Sequence, residues 1–396
     1  MKKYEEEFEN TLSPLVVIEE AGRCLLCEDA PCSSECPAGT SPDKFIRSLY
    51  FRNLKGAVER IRENNILGGV CAHVCPTESY CKKGCSRSGI DKPVEIGKIQ
   101  RFLTEYERKL NLNFIKKTPL TKEKVAIIGS GPAGLTTASE LAKEGYKATI
   151  FEKSEKLGGW LRYGIPEYRL GEEILDHEIN FIKEQGVEFI LNSEFGKDIT
   201  LESLEKEGFK SILFATGNNT GRTLPIFEGK ENVEIAVEFL ARIKKQQKND
   251  IGKNVVVVGG GDVALDAACS AKLLGAETVK VIALETLDKL PASEEELRIA
   301  KELNIQIIGG FIPELIEADK IIFKGTDSKD KIETYCDKII VAIGQESNLD
   351  SSVRSKKESN IFFAGDIAEG DKTVVWAIKR GKENAKSIIE FLGGVK

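Results

Sequence analysis

Four cysteines, Cys24, Cys27, Cys32 and Cys36, fall within thirteen residues in CLLCEDAPCSSECP, and Cys71, Cys75, Cys81 and Cys85 follow in CAHVCPTESYCKKGC. The first run reads C-x2-C-x4-C-x3-C-P and the second C-x3-C-x5-C-x3-C. Thiols this dense in a reducing compartment point to metal or redox chemistry rather than to disulfides. Structural zinc takes two close pairs separated by a longer insert. Four thiolates in one short run closed by proline fit an iron–sulfur motif better, with the last cysteine serving another cluster. Counting thiols alone gives two four-cysteine clusters. Of the ten cysteines only Cys269 and Cys336 lie elsewhere, each solitary.

Two glycine turns carry the other chemistry. Gly129-x-Gly131-x-x-Gly134 directly follows the apolar run VAII. The first glycine permits a tight turn, the second lets a pyrophosphate approach the backbone, and the third lets helix and strand pack closely. Gly129, Ser130, Gly131, Pro132, Ala133 and Gly134 are therefore a candidate dinucleotide cradle, with a helix N-terminus aimed at the phosphates. Glu152, with Lys153 beside it, ends the next strand, where an acid holds ribose hydroxyls. Gly259, Gly260, Gly261, Asp262 and Val263 open a second such turn, ending at Ala264. After its next strand stand Leu284 and Glu285, with no arginine to receive a 2′-phosphate, which predicts NADH over NADPH.

The elements that must position these residues fall into three segments. Residues 1–118 show helical patterning, as in FIRSLYFRNLKGAVERIREN, and predict a small α-helical domain. KVAIIGSGPAGLTTASELAKEGYKATIFEK and KNVVVVGGGDVALDAACSAKLLGAETVKVIAL are two βαβ units, the one internal repeat. The closing NIFFAGDIAEGDKTVVWAIKRG supplies a third strand, turn and helix. There Gly365 and Asp366 follow a strand, placing a carboxylate for a ribityl hydroxyl. Thr373 and Val374 open a helix whose positive end suits a reduced flavin. The expected fold is α/β: a helical iron–sulfur domain over 1–118, an FAD domain over 119–226 and 344–396, and a NAD(H) domain over 227–343 inserted in it.

The bulk numbers agree with an enzyme of this kind. The chain has 396 residues, 41% hydrophobic and 30% charged, and a formal net charge of −6. No basic stripe suggests nucleic acid and no apolar run suggests a membrane span. The polar, acidic opening MKKYEEEFENT is unlike a secretory or transit segment, and the reading is cytoplasmic. The two histidines, His73 and His177, read as packed or solvated side chains.

EEAGRCLLCEDAPCSSECP, KFIRSLYFRNLKGAVERIRENN, CAHVCPTESYC, GGWLRYGIPEYRL, GGGDVALD and AGDIAEGDKTVV together resemble one family. It contains the glutamate synthase small subunit, the N-terminal half of dihydropyrimidine dehydrogenase, and the smaller flavin-bearing subunit of the bacterial NAD-dependent dihydropyrimidine dehydrogenase. The resemblance covers nearly the whole chain. It implies two [4Fe–4S] clusters with crossed ligation, one on Cys24, Cys27, Cys32 and Cys85. The other falls on Cys36, Cys75, Cys81 and a non-cysteine ligand matching Gln100, which leaves Cys71 as packing. It also nominates Gly159 of the Gly158-Gly159 pair, Arg169 and Phe195 as FAD contacts.

A hydride donor, a flavin and one-electron clusters in series make an electron-input device, since flavin handles both one and two electrons. No side-chain acid or base is needed for that transfer, so no catalytic residue is nominated. No domain suited to a substrate is visible. The family reading supplies a larger FMN and iron–sulfur partner subunit that reduces uracil or thymine to the 5,6-dihydro form, reversibly. A glutamate synthase-like or other NAD(P)H-dependent electron-transfer complex is the alternative. A stand-alone disulfide reductase needs a C-x-x-C beside the flavin, which solitary Cys269 and Cys336 do not provide. A cluster protein without turnover is disfavoured by the intact nucleotide turns.

Overall fold

The computed structural model describes residues 14–245, 251–354, 359–368 and 370–393. Two compact units emerge: residues 163–167 with 218–348, and the rest of the chain.

The larger unit begins with a helical layer: α1 (Pro14–Gly22), α2 (Pro31–Ser34), α3 (Pro42–Tyr50), α4 (Leu54–Asn64), α5 (Gly68–Val74) and α6 (Ile96–Lys109). Proline opens α2 and α3 at positions where a missing N–H costs nothing. The Asn53 side chain caps α4 by accepting the Gly56 N–H at 2.9 Å. Phe45 and Leu49, Val58 and Ile61, and Ile99 and Leu103 recur at helical spacing and are fully buried against one another. Cys24, Cys32, Cys81 and Cys85 border this core, so the same packing that orders the helices fixes the cysteine loops.

A parallel sheet follows in the same unit, from β1 (Lys124–Ile128), β2 (Lys147–Phe151), β3 (Glu188–Ile190) and β4 (Phe209–Phe214). Its order is β4-β1-β2-β3, with strand Ile361–Phe363 adding to β4 at the outer edge. Helix α7 (Pro132–Lys143) leaves the first glycine turn, and α8 (Glu172–Glu184) precedes β3. The sheet is buried on both faces, as the near-continuous apolar runs of β1 and β4 require.

A buried ion network joins the sheet's helix α8 to the helical layer. Arg62 of α4 donates through Nε to both Glu107 carboxylate oxygens, at 3.0 and 2.9 Å, and through Nη1 to Glu178 of α8. Glu178 also accepts the Gly69 and Val70 N–H groups, at 2.5 and 3.0 Å, on the first turn of α5.

The smaller unit repeats the design: β5 (Val233–Ile235), α9 (Ala236–Lys244), β6 (Asn254–Val258), α10 (Asp262–Leu273), β7 (Thr278–Ile282) and β8 (Gln306–Ile308). An antiparallel layer of β9 (Phe311–Ile316), β10 (Lys320–Gly325) and β11 (Lys331–Tyr335) precedes β12 (Lys338–Val341). The parallel sheet runs β5-β12-β6-β7-β8. Phe323 and Ile321 of the antiparallel layer are fully buried in a cluster with Val256, Val258 and Ile339. Beyond these lie β13 (Ile361–Phe363), the edge strand of the first sheet, and α11 (Val374–Leu392), which packs on α7. Among the described residues no helix is long and apolar enough to cross a membrane.

Candidate redox cofactor sites

The chain returns its second cysteine run across the first. The Cys24 thiol is pushed up by burial and then by neighbouring Cys27 and Cys85. Cys32 is raised to about 11 by burial, with Cys24 and Cys85 adding to it. Cys75 is raised by burial and by Cys71, Cys81 and Cys36, and Cys81 by burial, Cys36 and Cys32. Cys24, Cys27, Cys32 and Cys85 thus lie near one another, as do Cys36, Cys71, Cys75 and Cys81, with Cys81 also close to Cys32. Cys24, Cys32, Cys75 and Cys81, buried together, resist ionising without a metal, and a bound cluster would remove that penalty by taking thiolates. The donor set thus fits iron–sulfur chemistry. Among the described residues no three His, Cys, Asp or Glu side chains converge on a point that one ion would occupy.

The two contenders for the last position differ. Cys71 is 5% exposed, and its Sγ accepts the Asn65 Nδ2–H at 3.4 Å. Burial raises the Cys71 thiol to about 12. Gln100 of α6 is 7% exposed and donates through Nε2 to the Gly68 carbonyl at 2.7 Å. That bond commits the amide nitrogen and leaves Oε1, the atom with lone pairs for a metal.

The first glycine turn has the geometry a pyrophosphate needs. Gly129 has φ +105°, and a Cβ there would stand 2.6 Å from the Ala215 carbonyl oxygen. At Gly134 a Cβ would stand 2.1 Å from the Gly129 oxygen, whereas at Gly131 it would meet nothing within 4 Å. The space at Gly131 is open to a ligand, and no side chain caps the α7 N-terminus there. Pro132 and Ala133 form the first turn of α7.

Glu152 is 5% exposed and accepts the Ser130 N–H at 3.0 Å and the Ser130 hydroxyl at 2.6 Å. Ser130 Oγ in turn accepts the Gly158 N–H at 3.0 Å, and a Cβ on Gly159 would stand 3.0 Å from the Gly131 Cα. Ser130 therefore couples the acid, the turn and the Gly158-Gly159 loop, a linkage that the turn's spacing did not announce. Lys153 is exposed and Arg169 half-buried on a turn. Phe195 lies edge-on to Phe214 of β4 with ring centroids 4.8 Å apart, in the sheet's apolar cluster.

Asp366 lies in a short 3-10 turn after β13, beside Gly365, whose φ is +77°. Burial raises its carboxyl, against the pull of Lys372 and Arg380. Thr373 precedes α11 without capping it and shares a hydrogen bond at 3.4 Å with the Tyr80 hydroxyl instead. The N–H groups from Val374 onward stay available to a ligand. Tyr80 stands between Cys75 and Cys81 in sequence, so this bond ties the cap of α11 to the cysteine loop.

The second turn has Gly259 at φ +139°, where a Cβ would stand 2.2 Å from the Ala342 oxygen. Gly261 leads into α10, again without a side-chain cap. The segment after β7 folds over the turn. A Cβ on Gly260 would lie 2.9 Å from Leu290 and 3.0 Å from Glu285 Oε2, and Asp262 accepts the Ser293 N–H at 2.7 Å. Val263 follows in the first turn of α10. Cys269 and Cys336 are both buried.

Known proteins give the same division. Residues 1–112 match the family described as dihydropyrimidine dehydrogenase domain II, 4Fe-4S cluster. Residues 123–381 match pyridine nucleotide-disulphide oxidoreductase. The cofactor classes are accordingly iron–sulfur, FAD and NAD(P). A solved 2-naphthoyl-CoA reductase shares the fold at TM-score 0.59 and 20% identity, over 90% of this chain and 50% of that one. The NAD-dependent dihydropyrimidine dehydrogenase subunit PreT of Escherichia coli O157:H7 is 47% identical over 99% of this chain and 98% of its own length. The protein of that name from Salmonella typhimurium is 45% identical over the same shares. This chain therefore belongs to the family of the NAD-dependent dihydropyrimidine dehydrogenase subunit PreT.

Proposed function

We propose that this chain is the electron-input subunit of an NAD-dependent dihydropyrimidine dehydrogenase. It oxidises NADH and passes electrons to a larger partner subunit, carrying FMN and further clusters, that reduces uracil or thymine reversibly. The observation that carries the reading is the near-complete, 47% identical match to a subunit of that enzyme. The crossed cysteine grouping supports two [4Fe–4S] clusters, one on Cys24, Cys27, Cys32 and Cys85, and the other on Cys36, Cys75, Cys81 and Gln100.

The chain's own residues bind and orient. The Gly129 turn and the first turn of α11 would hold FAD by its phosphates and its ring edge, with Glu152, Gly159, Arg169, Phe195 and Asp366 around it. The Gly259 turn would hold the nicotinamide cofactor, with Glu285 at the ribose. A carboxylate there repels a 2′-phosphate, which supports NADH over NADPH. FAD, when bound, accepts a hydride and releases electrons singly.

Purified with its cofactors, the chain alone should reduce artificial dyes with NADH and leave uracil unchanged. Adding the partner subunit should restore uracil reduction. Uracil turnover by the isolated chain would refute the division of labour, and faster turnover with NADPH would refute the cofactor preference.

A further inference from the structure

Lys382 stands on α11 beside Gly381, and Gly381 is where α11 meets α7. A Cβ at 381 would lie 2.7 Å from the Ala133 carbonyl oxygen and 3.0 Å from Thr136 Cβ. That contact sets α11 against the nucleotide helix, and the next side chain reaches into the helical layer. There the Lys382 ammonium donates to the Ala38 carbonyl at 2.6 Å and to the Asn64 carbonyl. Ala38 is two residues past Cys36. Asn64 precedes Asn65, whose amide donates to Thr40 Oγ1 at 3.1 Å and to Cys71 Sγ at 3.4 Å. Thr40 Oγ1 lies 3.6 Å from Cys36 Sγ.

The charged and titratable groups around the ammonium are Glu140 and Lys143 of α7, with Cys36 and Cys71. Glu140 is paired with Lys143 at 2.7 Å. Among the described residues Lys382 has no ion pair, and its hydrogen bonds run to carbonyl dipoles. Burial lowers the Lys382 ammonium and Glu140 supports it; with Glu140 paired to Lys143, the site keeps one net positive charge, half-buried, beside Cys36 and Cys71. Carbonyls suffice to hold a strut, but they do not neutralise a cation.

We propose that Lys382 sets the reduction potential of the cluster held by Cys36, Cys75 and Cys81. A cluster bound there would gain one negative charge on accepting an electron that NADH supplies. A fixed cation close by in a low dielectric favours that reduced state and raises the potential. The inference rests on the two-cluster reading above and assigns Lys382 a positioning charge, without contact with the reacting atoms.

The test is a mediated redox titration followed by EPR on the reconstituted full chain, with iron and sulfide counted first. Wild type is compared with Lys382→Met, Lys382→Gln and Lys382→Arg, and the signal missing from Cys36→Ser identifies the cluster. Met and Gln should each lower that cluster's potential, so that its reduced-to-oxidised ratio at a fixed poise falls about tenfold, ~59 mV for one electron. The other signal should stay in place, and Arg should hold the wild-type value. With full iron, unchanged potentials in Met and Gln, or an equal fall in Arg, would overturn the proposal alone. Loss of the cluster in both Met and Gln would make Lys382 a structural strut and overturn it too. Wild type with iron for only one cluster would sink the two-cluster reading first, and this inference with it.

Discussion

Arg62 and Glu178, 116 residues apart, meet in the protein interior with Nη1 and Oε1 2.5 Å apart, both side chains 2% exposed or less. The same carboxylate seats the first turn of α5, the helix that carries Cys71 and leads into Cys75. The ion pair thus fastens the cysteine helix to the sheet side of the unit.

Removing Glu178 strands a buried guanidinium donor and two backbone N–H groups together. Glu178→Ala should cost about 3–5 kcal/mol, the usual range for breaking a buried pair from one side. Urea unfolding of the larger unit measures it, and iron content should fall in parallel as α5 loosens. Glu178→Gln, which keeps an acceptor oxygen, should recover part of the loss. A change below about 1 kcal/mol in the alanine variant would place the anchoring elsewhere, because exposed pairs fall in that range.

Gly131 and Gly134 separate ligand space from packing space. Gly131 has an ordinary φ of −67° and open space where a Cβ would go, so Gly131→Ala should leave the unfolding midpoint of the flavin-free chain unchanged. The added methyl would occupy the proposed pyrophosphate position, weakening FAD retention by at least about tenfold, or 1.4 kcal/mol. Gly134→Ala pushes a Cβ towards the Gly129 oxygen 2.1 Å away and should destabilise the chain itself, by about 1–3 kcal/mol. Dialysis with flavin fluorescence and thermal melts read the two effects apart. Equal FAD retention in Gly131→Ala and wild type would remove the phosphate from that turn.

What was legible in the chain, and what was not, follows from the range of each signal. The two βαβ units were legible because their glycines answer local needs: Gly129 and Gly259 hold positive φ values, and Gly134 allows a close approach. The helical layer was legible from apolar spacing. Spacing alone would have kept Cys36 with Cys24, Cys27 and Cys32, yet the fold brings it beside Cys75 and Cys81. Cys85 crosses the other way. How loops return leaves no period in sequence, and the crossed ligation itself is what the family resemblance implies. Glu178, Lys382 and the Tyr80–Thr373 bond escaped for the same reason, since each acts over 100 or more residues. Leu290, folded over the Gly260 turn, sits in a stretch with no apolar period to flag it.

His177 makes stability depend on pH. Burial, then the nearby Arg62 and Arg108 charges, lowers its imidazole to about 4, against 6.5 for the free group. Its Nε2 is buried with no hydrogen-bond partner among the described residues, and its ring lies edge-on to Phe181 at 4.5 Å. The folded chain therefore prefers the neutral ring, and the unfolded chain binds the proton first as pH falls. Its contribution is complete above pH 6.5 and is lost on descent towards pH 4. The ring is partly exposed and the Glu107 carboxylate lies 3.9 Å from Nε2, so the loss between pH 7 and pH 5 should be no more than about 1 kcal/mol, read from urea midpoints. His177→Gln should remove that share of the slope. An identical pH profile in the variant would assign the acid sensitivity to other groups.

Cys71 and Gln100 present the remaining choice. Cys71 already accepts an amide hydrogen from Asn65, and burial raises its thiol against the pull of that bond. That high value does not by itself separate Cys71 from the ligands, because burial raises Cys75 and Cys81 as well. The Asn65 donor does not separate them either, since Cys85 accepts the Val94 N–H at 3.4 Å; the choice of Gln100, whose nitrogen donates to the Gly68 carbonyl, rests on the family resemblance. On the two-cluster proposal, Cys71→Ser should retain the full iron content, with a modest stability loss. On the same proposal Gln100→Ala should lose the iron of one cluster, and Gln100→Glu should keep part of it, since one carboxylate oxygen matches the amide oxygen while the other loses the bond to the Gly68 carbonyl. Iron and sulfide analysis on anaerobically prepared chains, with EPR of the reduced state, distinguishes the cases. If Cys71→Ser lost one cluster while Gln100→Ala kept both, the ligand would be the thiol, with the Asn65 N–H remaining as a donor to its sulfur.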